Sequence, residues 1–324
     1  MRQRNWKTIF ANPYNLENDA NEISIEVIIN AGSGADDKEN VKEQIAEAFA
    51  ANNLKANILL AKGGEDIIEL AKRAAESDAK TIVAGGGDGT ISAVAGELIG
   101  KNKTLGVLPL GTLNHFSKDL AIPQELAEAV RVIAENHTIE VDAGEVNGRI
   151  FINNSSLGLY PSIVRRREQQ QKLGRGKWYA AFWSSLSVLR RFPFFGVKLK
   201  TETEELTRRT PFVFVGNNEY EMDFLNIGAR KSLADGKLSV YILHRTGRIG
   251  LLFLALRSVF GILRQAKDFE ALSVEEITIE ISRRKRGVRV ALDGEVLMMD
   301  APLNYRVLPR ALRVIVPKIE IEKE

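Results

Sequence analysis

Between residues 23 and 134 the chain alternates short aliphatic runs with longer stretches of helical periodicity. The first run holds Ile23, Ile25, Val27, Ile28 and Ile29, and three more follow at 56–61, 81–84 and 105–108. β-Branched side chains fit a pleated, buried surface, so these segments read as strands. Helix-length segments lie near 39–51, 65–76, 90–99 and 124–134. Strands joined through helices pair in parallel, because each helix carries the chain back across the sheet. The expectation is a three-layer α/β domain. Ligands of such sheets gather outside the carboxyl ends of the strands. Three turns follow strands directly and should share that rim: Asn30-Ala31-Gly32-Ser33-Gly34, Gly85-Gly86-Gly87-Asp88-Gly89-Thr90, and Pro109 to Asn114.

The rhythm changes after about Glu140. Apolar runs at 141–146, 151–157, 196–200, 211–216, 238–243, 277–281, 288–292, 305–308 and 312–316 succeed one another with short turns. That pattern predicts an antiparallel β-sandwich. Helices near 176–191 and 251–267 should interrupt it. The boundary falls near 139–147. This gives an irregular, asparagine-rich segment over 1–20, an α/β nucleotide-binding domain over 21–142 and a β-sandwich domain over 143–324. A chain of 324 residues accommodates two cores.

The glycine turn narrows the chemistry. Glycines let a backbone approach a ligand closely. A helix opening near Thr90 presents unpaired amides and the positive end of its dipole. Together they make an anion site suited to phosphates. Asp88 is discordant there, because a carboxylate repels phosphate. A bridging metal ion would remove the conflict. The plainer reading is a tight turn with Asp88 capping the helix. The second turn, Leu108 to Phe116, places Gly111 after a strand and offers the Thr112 hydroxyl. Read alone, it is a βα loop with Asn114 as helix N-cap.

Composition removes several alternatives. The absence of cysteine excludes disulfides, thiolate metal sites and thiol nucleophiles. His115, His137 and His244 are the only histidines, which argues against a multi-histidine zinc site. A hard cation with oxygen ligands, such as magnesium, fits better. His115 could work in acid–base chemistry or simply hydrogen-bond a neighbour. With 45 basic and 42 acidic residues, charge gives no argument for nucleic acid. The most apolar stretch, 251–263, is broken by Arg257 and falls short of the roughly 20 residues that span a bilayer. No secretory signal is visible at the start. The expected location is cytoplasmic.

With these motifs in order, the chain resembles the diacylglycerol kinase catalytic-domain family, which includes bacterial lipid kinases and sphingosine kinases. The residues that carry the resemblance are Asn30…Ser33-Gly34, Gly85 to Thr90, Leu108-Pro109-Leu110-Gly111-Thr112-Leu113-Asn114, Asp142 in Val-Asp-Ala-Gly, Asp235-Gly236-Lys237-Leu238, and Leu292-Asp293-Gly294-Glu295. The glycine turn alone is shared with NAD kinases and phosphofructokinases. The resemblance implies an active site in the cleft between the α/β and β-sandwich domains. It implies magnesium-ATP as donor, a lipid hydroxyl as acceptor, and phosphatidate or a related phospholipid precursor as product. It implies nucleotide contacts from Asn30, Ser33, Gly34, Gly85, Gly86, Gly87, Asp88, Gly89, Thr90, Gly111, Thr112 and Asn114. Glu295 would be the general base, and Asp88 would arrange magnesium and phosphates. Asp142 and Asp293 would extend the acidic network. Asp235, with the carbonyls of Ser232 and Lys237, would hold a structural magnesium.

Read without the family, Asp293-Gly294-Glu295 is a solvated hairpin turn and Asp235-Gly236 a plain turn. Three positions depart from the family pattern. Ala31 stands where proline is usual, His115 where many members carry aspartate, and Leu60 or a neighbour where a threonine often touches the nucleotide. The rival functions are a kinase of a soluble acceptor such as NAD, and a non-catalytic nucleotide or lipid sensor.

Basic residues at 165–167, 172, 175 and 177 precede Trp178, Tyr179, Phe182 and Trp183. Such a stretch suits either the inner face of a membrane or a solvated helix with a buried aromatic face. The run 283–286 reads as a charged hairpin tip. The expected partners are ATP, a lipid substrate, a peripheral membrane contact and a second copy of the chain, with no nucleic acid.

Overall fold

The computed structural model describes residues 25–30, 35–158, 194–220, 230, 232–243, 269–282 and 286–318. The arm over 1–20, Ser33, Gly34, both helical interruptions, the basic stretch at 165–183, His244 and most of the 283–286 run lie outside the described residues.

The first half alternates as the sequence requires: β1 (Ile25–Ile29), α1 (Ala35–Ala51), β2 (Ala56–Leu60), α2 (Gly64–Glu76), β3 (Thr81–Gly86), α3 (Asp88–Leu98), β4 (Thr104–Pro109), α4 (His115–Asp119) and α5 (Leu126–Glu135). The four strands pair in parallel in the order β2-β1-β3-β4. The chain steps outward from β1 to β2, then back across to β3. Right-handed crossovers therefore put α1 on one face and α2 and α3 on the other. Accordingly α2 packs on α3, and α1 on α5. The reversal opens a crevice at the carboxyl ends of β1 and β3, where ligands of such sheets bind. Beneath it Val27, Ile28, Ile29, Ile82, Val83 and Leu105 are fully buried. Each such side chain contributes about 1.5–3 kcal/mol.

The second half is β5 (Thr138–Val146), β6 (Arg149–Phe151), β7 (Asn154–Gly158), β8 (Phe195–Lys200), β9 (Glu205–Thr210), β10 (Phe212–Asn217), β11 (Leu238–Leu243), β12 (Phe269–Val274), β13 (Glu276–Ile281), β14 (Val288–Leu292), β15 (Glu295–Met299) and β16 (Leu303–Ile315). One antiparallel sheet runs β12-β11-β10-β7-β14-β15. It faces β8, β13, β5 and the first half of β16 across a core that includes Leu157, Leu199, Val215, Ile279, Val290 and Tyr305. This is the antiparallel sandwich.

The two halves of the chain share one sheet, because β2-β1-β3-β4 continues through β16 into β13, β8 and β9. β16 is one strand of 13 residues, where sequence predicts two at 305–308 and 312–316. Pro309 reads as a break, yet only the register shifts between Leu308 and Leu312, with Arg310 at φ 49°. The start of β16 pairs with β13, and its end pairs in parallel with β4 through Arg313 and Thr104. β5 runs antiparallel alongside it. Val141, Leu312 and Val314 therefore lie in the first core, and Val146, Tyr305 and Val307 in the second.

Candidate active site

The glycine turn is built by exclusion of side chains. A Cβ on Gly86 would stand 2.6 Å from the Cβ of Thr90. A Cβ on Gly111 would stand 2.4 Å from the Cα of Gly87 and 2.6 Å from Asn114 Oδ1. The two turns thus touch backbone to backbone. The Leu110 amide adds a 3.1 Å bond to the Gly86 carbonyl. β1 joins them, because the Asn30 amide donates to the Gly85 carbonyl at 2.8 Å and Asn30 Nδ2 donates to the Thr90 hydroxyl at 3.1 Å. Gly89, by contrast, faces open space.

The helix α3 begins at Asp88, two residues before the expected start at Thr90. Its N-cap, Gly87, has no side chain to satisfy the first amides. Asp88 does not cap its own helix. The His115 amide donates to Asp88 Oδ2 at 3.2 Å, and the Phe116 amide to Oδ1 at 3.1 Å. The carboxylate of the first turn therefore caps α4 at the end of the second. Each oxygen accepts one amide and keeps lone-pair capacity for a further partner.

Asn114 does occupy the N-cap position of α4, but in the left-handed region (φ 52°) and without a side-chain cap bond. Its Nδ2 lies within 3.2 Å of the carbonyls of Pro109 and Gly111 and of Gln124 Oε1, so it ties its own loop. Thr112 and His115 are exposed beside it.

Asp293 and Gly294 join β14 to β15 with φ values of 45° and 92°. Both are left-handed, as a two-residue type I′ hairpin requires. The Asp293 carboxylate is turned inward. It accepts the amides of Ile152, Asn153 and Asn154 at 2.7, 2.9 and 2.8 Å, and the Ser92 hydroxyl at 2.5 Å. Burial pushes its carboxyl up, and these four donors act in the opposite direction. Ser92 lies one helical turn after Asp88 on α3, so both share a face. The hairpin is thereby clamped onto the phosphate-turn helix. Glu295, the first residue of β15, is exposed at that junction.

Asp142 is buried, and its carboxylate accepts the Gly236 amide at 2.6 Å and the Arg310 amide at 2.8 Å. Its own amide donates to the Leu233 carbonyl at 2.7 Å. It pins the 232–237 loop to the irregular centre of β16. Asp142→Ala is expected to cost about 1–3 kcal/mol for each orphaned donor in urea unfolding. An unchanged unfolding midpoint would contradict this role.

In the pinned loop, Asp235 lines a concavity of about 350 Å³ with Glu219, Lys237, Ser239 and Ser273. The Asp235 amide donates to Asn218 Oδ1 at 3.1 Å, and the Lys237 carbonyl accepts the Asn218 amide at 3.0 Å. The Ser232 hydroxyl accepts the Ala234 amide. Among the described residues, no three His, Asp or Glu side chains converge as a metal-binding group.

Two groups at this junction carry no sequence motif. Ser92 sits mid-helix, and its partner Asp293 is 201 positions away. Arg230 is buried and pairs with Asp119 of α4 at 2.8 Å. Burial pushes the Asp119 carboxyl up and Arg230 pulls it back. Only the fold brings these partners together.

A phosphate-type turn at a sheet switch point, clamped to a β-sandwich hairpin, marks the chain as a phosphotransferase of two-unit build. The Diacylglycerol kinase catalytic domain model matches residues 24–146, and the YegS C-terminal NAD kinase beta sandwich-like domain model matches 158–316. Together these span most of the chain, which belongs to the bacterial-type diacylglycerol kinase family, a family of lipid kinases. The diacylglycerol kinase of Bacillus subtilis (strain 168) is 25% identical over 302 residues, covering 92% of this chain and 97% of that protein. The diacylglycerol kinase of Staphylococcus aureus (strain MRSA252) is 26% identical over 304 residues, covering 92% and 94%. A crystal structure from Bacillus anthracis str. Sterne, provisionally assigned as a diacylglycerol kinase, matches with TM-score 0.70 and 26% identity over 91% of this chain and 97% of that one. No helix among the described residues is long and apolar enough to cross a membrane.

Proposed function

We propose that this chain transfers the γ-phosphoryl group of ATP to the hydroxyl of diacylglycerol or a closely related lipid. The observation that carries the reading is the Ser92–Asp293 clamp, which joins the phosphate-type turn to the hairpin bearing Glu295. The amides at the start of α3 and the Gly85–Thr90 turn hold the phosphates, supported by Asn30, Gly111, Thr112 and Asn114. Ser33 and Gly34 join them by family resemblance.

The residues present fit magnesium-ATP. The open space at Gly89, at the uncapped start of α3, admits phosphate, and the Asp88 carboxylate keeps acceptor capacity beside it. Asp88 would help hold magnesium beside the phosphates, where the ion would neutralise their charge. The transfer itself needs positioning more than covalent chemistry. The acceptor oxygen forms a bond to the γ-phosphorus, and the bond to the β–γ bridging oxygen breaks. ADP leaves, and the acceptor proton passes to the Glu295 carboxylate. An exposed carboxylate on a clamped hairpin suits that task. Asp142 and Asp293 act by holding backbone in place. His115 replaces an acid of the family pattern and leaves Asp88 as the carboxylate of the two phosphate turns.

The test is acceptor-dependent ADP release. With magnesium-ATP, release should require diacylglycerol micelles and be absent with NAD. The NAD arm is warranted by the NAD kinase-like sandwich match. Release with NAD and none with lipid would overturn the reading.

The 232–237 loop is proposed as a structural cation site, with Asp235 and the carbonyls of Ser232 and Lys237 as ligands. Asp235→Ala should then lower the melting temperature in magnesium by about 2–4 °C and leave ATP affinity unchanged. Lost ATP affinity at an unchanged melting temperature would contradict it.

A further inference from the structure

Asp88, Asp119, Arg230, Asp293 and Ser92 close a circuit of hydrogen bonds around the candidate site. From Asp88 it passes through the His115 and Phe116 amides into α4. At the far end of that helix, Asp119 accepts Arg230 Nε at 2.8 Å. Arg230 Nη1 donates to the Ile152 carbonyl at 2.7 Å and Nη2 to Asn153 Oδ1 at 3.0 Å. The amides of Ile152 and Asn153 then donate to Asp293, which accepts Ser92 and so returns to α3.

We propose that Arg230 is a positioning residue that fixes the hairpin bearing Glu295 relative to the phosphate turn bearing Asp88. The inference rests on the kinase reading for its kinetic consequence alone. The circuit is geometric.

Arginine is suited to this place. Its planar fork offers five N–H donors, and here they reach a carboxylate, two carbonyls and an amide oxygen. The Arg230 side chain is fully buried, with its guanidinium 5.9 Å from the Phe116 ring and 5.6 Å from the Tyr220 ring. Lysine keeps the charge and cannot reproduce the fork. The two cores are also joined through β5 and β16. Opening the circuit should therefore loosen the hairpin against α3 while the cores persist. Misplacement of reacting groups by about 1 Å costs on the order of 10²-fold in rate.

The test uses Arg230→Lys, which opens one side of the circuit, and Ser92→Ala, which opens the other. Lipid phosphorylation by each single variant should fall about tenfold to a hundredfold in kcat, with KM for ATP little changed. The loss in the double variant should depart from the product of the two single losses, because both residues hold the same hairpin within one network. Losses that multiply, or an unchanged kcat with only a lowered melting temperature, would reduce Arg230 to a structural role and overturn the proposal.

A second readout needs no activity. The chain has no cysteine, so Lys118→Cys on α4 and Met298→Cys on β15 accept spin labels at unique, exposed positions. The distance distribution should be narrow in this labelled parent and broader with Arg230→Lys or Ser92→Ala. An unbroadened distribution refutes the circuit whatever the activity. Broadening in a protein that phosphorylates no lipid would support the circuit and sink the kinase reading alone.

Discussion

Glu295→Gln is expected to lower lipid phosphorylation by about 10²–10⁴-fold while ATP still binds, the range over which a positioned general base acts. Glutamine keeps the shape of the side chain and removes its capacity to take the acceptor proton. Fold effects should be small, because Asp293, not Glu295, holds the hairpin through Ser92 and the three amides. Glu295 is exposed, so its replacement leaves no buried partner unsatisfied. Single-turnover transfer from bound ATP isolates the chemical step. A rate equal to the parent would remove Glu295 from the mechanism.

Gly111→Ala is expected to damage the site from within, and Gly89→Ala to leave the fold intact. The Gly111 methyl would enter the Gly87 backbone at 2.4 Å and meet Oδ1 of Asn114 at 2.6 Å, and the Asn114 side chain is itself tied to the Pro109 and Gly111 carbonyls and to Gln124. Overpacking of this kind costs about 1–3 kcal/mol. Nucleotide affinity should fall with it, because the two phosphate turns are forced apart. At Gly89 the methyl meets nothing within 4 Å. Inside α3, alanine is favoured over glycine by about 1 kcal/mol, so stability should hold or rise. Its methyl would stand in the open space beside the turn and should weaken ATP binding without unfolding. Urea unfolding and ATP titration on both variants separate the effects. Equal stability of Gly111→Ala and the parent would refute the backbone contact between the turns.

The parallel strands and the glycine turn were legible because they follow local rules. Short apolar runs mark β1 to β4, and three strand-ending turns mark one rim. The Asp293-Gly294 turn was legible as a hairpin, and both residues do adopt left-handed φ. Its buried carboxylate was not, because Ser92 and the Ile152–Asn154 amides are distant in sequence. Asp88 shows the same gap. The helix it caps is α4, not its own, and only the contact between the two turns brings the His115 and Phe116 amides to it. The gap between the apolar runs at 305–308 and 312–316 made β16 look like two strands. The Asp142 carboxylate, holding the Arg310 amide, spans that irregularity. Arg230 lay beyond sequence reasoning altogether, since an arginine carries no signal of burial until its acceptors are in place.

The most direct measurement is the fate of γ-labelled phosphate from ATP, with magnesium, in a panel of diacylglycerol, other hydroxyl-bearing lipids and NAD, with Glu295→Gln run in parallel. Label is expected in a lipid product, phosphatidate when diacylglycerol is offered, and is expected to be lost in the variant. Label only in the soluble acceptor, or equal labelling by parent and variant, would contradict that expectation.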